Sequence, residues 1–207
     1  MRSFHQFFLG FVAVILLGAG CTTGARHRPL EWDVVSLKDD EWRGSPRQPP
    51  VIEGEDVVLG GQDIRTERIY SAPVTIEFDA MLEERVAGDG SLGCAFVPLT
   101  QAVDREPERN VQILFQYGQG GDDISVQERF EWRPIQKTKT WSRTALSIEP
   151  SKWHHMVYKV VKGGLNITVD GQSRGTGGAV VSYKAFYVYL VSWPPTCRWH
   201  VRNFWIH

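Results

Sequence analysis

From Val51 onward the chain runs in short stretches in which every second residue is apolar, and glycine-rich breaks separate them. In VTIEFDAML, Val74, Ile76, Phe78, Ala80 and Leu82 fall on one side of an extended backbone, with Thr75, Glu77, Asp79 and Met81 on the other. Successive side chains of a strand point to opposite faces of its sheet, so this alternation predicts a strand with one face in a core and one in water. The pattern recurs in SLGCAFVPL, NVQILFQYG, ISVQERFEW, HMVYKVV, LNITVDG, AFYVYLVSW and HVRNFWI. Between them stand GDGS, GQGGDD, KGG, DGQ and GTGG, the glycine and Asp chemistry of tight turns. Helical periodicity is missing, with room for no more than a turn of helix in SAPVTIEF and in LEERVAGDG. Many short strands with frequent turns predict an all-β chain, an antiparallel two-sheet β-sandwich or jelly roll, over residues 51–207.

The same rule settles a pair of adjacent histidines in WHHMVYKVVKGGLNITVDGQ. On a strand His154 and His155 face opposite sides, so the two rings do not share a metal. Met156, Tyr158 and Val160 share a face, as do Leu165, Ile167 and Val169. The stretch therefore reads as a hairpin that turns at Lys162 to Gly164 and turns again at Asp170-Gly171.

The amino terminus has a different character. Arg2 and His5 precede an apolar run from Phe7 to Leu17, and Gly18, Ala19 and Gly20 lead into Cys21. Residues 1–20 read as an export signal, too short to span a bilayer comfortably. The small residues before Cys21 resemble the lipobox at which bacterial lipoproteins are cleaved and lipidated, which implies a chain anchored to a bacterial cell envelope through lipid on Cys21. Residues 21–50, rich in charge and proline, read as a tether and irregular lead-in. With Cys21 lipidated, two of the three cysteines remain, and Cys94 with Cys197 is a candidate disulfide in an oxidising compartment. A formal net charge of −1, with acids and bases mixed throughout, does not suggest a nucleic-acid partner.

The W-H at Trp153-His154, the alternating strand, the glycine turn and the V-D-G at Val169–Gly171 resemble a segment of the concanavalin-A-like lectin and glucanase superfamily. Laminin-G-like modules and bacterial three-keto-disaccharide hydrolase-like domains carry it. WHVRNFWIH resembles the closing strand of those bacterial domains. The resemblance implies a concanavalin-A-like sandwich and either glycan binding or glycoside cleavage.

Three constellations bear on that choice. Glu77, Asp79 and Glu83 share a strand parity, and the laminarinase-type hydrolases of the superfamily place such acids on one strand, which makes Glu77 and Asp79 catalytic candidates together with Glu131. Glu83 lies about 20 Å along an extended strand from Glu77, whereas a retaining pair needs about 5 Å. Eight tryptophans are many for this length, and indole faces stack on the apolar faces of sugar rings. Trp132, Trp193 and Trp199 are the candidates for an aromatic rim. Gln112 and Gln116 share one side of their strand, Gln127, Arg129 and Glu131 one side of theirs, and His200 and Arg202 one side of the last. Adjacent in one sheet, these would make a polar groove suited to a neutral or acidic sugar. Gly118 to Asp123 offers oxygens that calcium could use but reads as a hairpin turn, so no cofactor or metal is expected. The leading expectation is an exported carbohydrate-binding domain. The alternatives are a glycoside hydrolase of the three-keto-disaccharide or laminarinase type, and a non-catalytic protein-interaction module.

Overall fold

A computed structural model describes Trp32–Asp33 and residues 51–61, 63–66, 68–98, 108–132, 135–177 and 184–207. No helix occurs among the described residues; SAPVTIEF and LEERVAGDG are strand and loop. The strands are β1 (Trp32–Asp33), β2 (Val51–Glu53), β3 (Asp56–Leu59), β4 (Asp63–Thr66), β5 (Val74–Leu82), β6 (Gly90–Pro98) and β7 (Glu108–Tyr117). After them come β8 (Asp123–Trp132), β9 (Ile135–Ala145), β10 (Trp153–Val161), β11 (Gly164–Val169), β12 (Gln172–Gly177), β13 (Phe186–Trp193) and β14 (Trp199–Ile206). They form two seven-stranded antiparallel sheets, ordered β1-β4-β13-β6-β7-β8-β9 and β12-β11-β10-β5-β14-β3-β2. The first sheet takes in Trp32–Asp33 from ahead of residue 51, through pairing of β1 with β4.

The alternation in β5 is obeyed without exception: Val74, Ile76, Phe78, Ala80 and Leu82 are buried and the residues between them are not. In β10 the buried set is His154, Met156, Tyr158 and Val160. His154 therefore faces the core and His155 faces solvent, as the strand rule requires. The β10–β11 hairpin closes at Val161 opposite Gly164, around a turn in which Gly163 has φ +85°. At the next turn both Asp170 (φ +52°) and Gly171 (φ +75°) are left-handed, a combination that Asp-Gly tolerates well.

The core lies between the sheets. Ile76, Phe78, Leu82, Tyr158 and Val201 of one sheet meet Leu92, Phe96, Ile113, Ile124 and Leu190 of the other. Phe115 of β7 ties the layers together, with its ring 5.5 Å from Trp199 of β14 and 5.3 Å from the His154 ring. Each large apolar side chain buried here contributes roughly 1.5–3 kcal/mol before entropy is counted.

Two sequence expectations are corrected. Trp199 is not a rim residue: it is fully buried and stands opposite Leu82 and Leu59, on the core face of its strand. Cys94 and Cys197 are buried thiols with no disulfide between them. Cys94 packs on the core face of β6, where burial drives its thiol pKa far up. Cys197 precedes β14, and its sulfur accepts a 3.5 Å hydrogen bond from the Tyr117 hydroxyl.

Candidate functional site

The outer face of the β1-β4-β13-β6-β7-β8-β9 sheet is built in cross-strand rows. One row runs Trp193, Ser91, Gln116, Asp123, Ala145 across β13, β6, β7, β8 and β9. The next holds Val191, Gly93, Leu114, Ser125 and Arg143, and the third Tyr189, Ala95, Gln112, Gln127 and Thr140. Along β6 the floor is therefore Ser91, Gly93 and Ala95, all small, with taller side chains on both neighbouring strands. On one side rise Tyr187, Tyr189 and Trp193, and on the other Gln112, Leu114 and Gln116. Trp193 is 49% exposed, although it belongs to a strand whose alternate residues are core.

Charge enters this face at Asp123, which is only 3% exposed. The Arg143 Nε and Nη2 lie 2.7 and 2.6 Å from its Oδ2, and the Gln116 Nε2 donates to the same oxygen at 3.3 Å. Ser125, two residues on, is buried as well and accepts from the Gln127 amide at 3.3 Å. The neighbouring Asp122 belongs to the turn: it pairs with Arg85 and accepts the Ile148 N–H at 2.8 Å. Both acids of GQGGDD are thus engaged by arginines, and Gly121 N–H closes the turn on Gly118 O at 3.0 Å. No group of three or more metal-ligating side chains occurs among the described residues.

Four predicted ligand-binding residues, Gln112, Gln116, Gln127 and Trp193, are brought together here. Arg129 takes a ladder position on β8 opposite Asn110 and Thr138, Glu131 one opposite Glu108 and Gln136, and Trp132 one opposite Ile135. His200 and Arg202 do not join them. They lie on β14, between β5 and β3 in the other sheet, so the single groove expected from the sequence is two separate faces.

On that second face Glu77 and Asp79 flank one imidazole. His155 Nδ1 is 2.8 Å from Asp79 Oδ1, and its Nε2 is 3.7 Å from Glu77 Oε1. Asn203, at φ +50° in a bulge between Arg202 and Trp205, donates to Asp79 Oδ2 at 2.7 Å. The Arg202 guanidinium stacks 3.8 Å over the Trp153 ring. Glu83 is spent elsewhere: it accepts from Arg198 at 2.9 Å, and its other oxygen lies 3.1 Å from His200 Nε2. Glu77 and Asp79 are therefore members of a cross-strand charge ladder, and Glu83 is held apart from them. Sequence reading missed Asp123, Arg143, Tyr187 and Tyr189. The two tyrosines carry a signal, since they alternate with buried residues in FYVYLVSW just as Trp193 does.

No protein-family model matches the sequence, and no curated protein matches it. Solved structures do. A carbohydrate-binding module of Bacillus subtilis superposes with a TM-score of 0.51 at 14% identity, covering 75% of this chain and 88% of that one. The β-agarase A of Zobellia galactanivorans gives 0.53 at 12%, covering 74% and 72%. The κ-carrageenase of Pseudoalteromonas carrageenovora, solved with an oligotetrasaccharide of κ-carrageenan, gives 0.53 at 9%, covering 91% and 98%. The fold is that of the concanavalin-A-like sandwiches, as the hairpin and closing strand suggested.

Proposed function

We propose that the chain binds carbohydrate on the outer face of the sheet that runs from β1 to β9. The observation that carries this reading is the row from Trp193 to Asp123, in which an exposed indole, a small-residue floor, an amide and a buried carboxylate follow one another across four strands. An indole offers a stacking surface to the C–H face of a sugar, and amides and carboxylates fix hydroxyls. Neighbouring strands lie about 4.8 Å apart, so the row spans about 14 Å, room for more than one sugar ring. The fold is shared with a carbohydrate-binding module and with polysaccharide-cleaving enzymes, which agrees with the reading.

Binding without cleavage is the form we favour. Hydrolysis needs two carboxylates facing each other across the scissile bond. Of the acids that bear on such a pair, Glu77 and Asp79 belong to the opposite sheet and are engaged by His155 and Asn203, and Asp123 on this face is tied to Arg143 and Gln116. The leader and Cys21, outside the described residues, support an exported, lipid-anchored protein of a cell envelope. A glycan-array screen of the purified chain, with product analysis on every hit, tests the reading. The expected result is retention of intact glycan by the native chain and loss of binding in Trp193→Ala at unchanged melting temperature. Released product would establish the hydrolase instead, and binding unaffected by Trp193→Ala would remove this face as the site.

A further inference from the structure

The hydrogen bonding of Asp123 is lopsided. Three donor groups, Arg143 Nε and Nη2 and Gln116 Nε2, converge on Oδ2. Oδ1 is buried and has no partner among the described residues. A buried charged oxygen left bare is costly, and native folds seldom leave one so. Asp123 stands on the outer side of β8, since Ile124 and Val126 on either side of Ser125 fill the core, and it shares its row with Trp193. The member of the cluster able to move is Arg143, 55% exposed and rooted on an edge strand.

We infer that Asp123 and Arg143 form a receptor for a vicinal diol of a neutral sugar; this rests on the carbohydrate reading above. One ligand hydroxyl donates to Asp123 Oδ1. The adjacent hydroxyl accepts from the Arg143 guanidinium, which swings aside to uncover Oδ1 and keeps a single N–H on Oδ2. A carboxylate accepts only and a guanidinium donates only, so the pair reads two neighbouring groups that each both donate and accept, which is what a diol offers. A sulfate or uronate fits poorly, because it would set its own charge against the carboxylate. Ser125 and Gln127 continue the line of hydroxyl and amide along β8 and extend the same chemistry to a second ring.

The test is a binding titration of the full chain, purified in detergent, against β-1,4-glucan, β-1,3-glucan and agarose oligosaccharides. Each is measured before and after periodate oxidation, which cleaves vicinal diols and leaves isolated hydroxyls intact. The native chain should lose affinity for its ligand about 10- to 100-fold on oxidation, the size of a hydrogen bond to a charged group. Asp123→Asn should bind intact and oxidised ligand equally weakly, and Arg143→Lys should lie between. Equal binding of intact and oxidised ligand by the native chain overturns the inference, and that measurement needs no variant to fold. Undiminished binding by a folded Asp123→Asn, alongside loss in Trp193→Ala, also overturns it; Oδ1 would then be capped by an ordered water, with the carbohydrate face left standing. If the folded native chain binds none of these sugars while the array finds an anionic glycan, the diol receptor fails alone. No binding to any glycan removes both readings.

Discussion

Replacing Asp170 should unfasten the hairpin that carries both histidines. Its Oδ2 is 2.8 Å from the buried His154 Nδ1, its Oδ1 accepts the His155 backbone N–H at 2.8 Å, and its own backbone is left-handed at φ +52°. Asp170→Ala leaves a ring nitrogen of His154, itself 3% exposed, without a partner, which costs about 1–3 kcal/mol. Alanine in a left-handed conformation adds about 1 kcal/mol. The charge itself adds little, because the carboxylate is 43% exposed and solvent screens it. A total of about 3 kcal/mol corresponds to a Tm lower by about 6–12 °C in a domain of this size. Asp170→Asn keeps the turn and an acceptor, and isolates the charge. Partial burial raises the Asp170 pKa, but the His155 N–H and the His154 ring outweigh it and hold the group below 3.8. A depressed carboxylate stabilises the fold fully above its unfolded pKa and loses that contribution as the pH falls through its folded value. The Tm gap between the native chain and Asp170→Asn should therefore be level from neutral pH down to about 5 and close below 3.8. Thermal unfolding followed by circular dichroism across that range decides. A loss under about 2 °C in Asp170→Ala, or an Asn gap that persists at the acid end, would refute the account.

Trp199→Ala should cost about 3–5 kcal/mol, since a fully buried indole in contact with Phe115 leaves a cavity between the sheets. Urea titration should show a much lower midpoint, and a near-native midpoint would restore the rim reading. Cys21→Ser should abolish incorporation of labelled fatty acid in a bacterial host. Labelled Cys21→Ser chain would show that the lipid is carried elsewhere.

Alternation made the sandwich legible. β5, β10, β11 and β13 lie where period-two patterns place them, because each has one face in the core. β9 was invisible for the opposite reason. Its IQKTKTWSRTA is polar on both sides, as suits a strand at the rim of a sheet, and no apolar stripe marks it. Trp199 could have been placed from sequence, since His200 and Arg202 share one parity and Trp199 has the other. The division of the polar residues between two sheets could not, because parity fixes a face within a strand and says nothing about which strands are neighbours. Asp123 hid in a turn motif, and its partner Arg143 in the strand that went unseen.

The character of β9 has a consequence for how the molecule behaves in company. A strand of eleven residues at the border of a sheet offers a long row of backbone donors and acceptors, and such a row invites a second chain to add itself. Here the invitation is withdrawn. Trp141 falls between Thr140 and Ser142 where the ladder slips a residue, which bends the strand out of the flat geometry that edge-to-edge pairing requires. Lys139 holds its ammonium 3.7 Å over the indole and covers the large apolar group exposed on that border. Copies brought side by side would meet there at a bent border with an ammonium laid over its indole, a poor template for a continuous sheet.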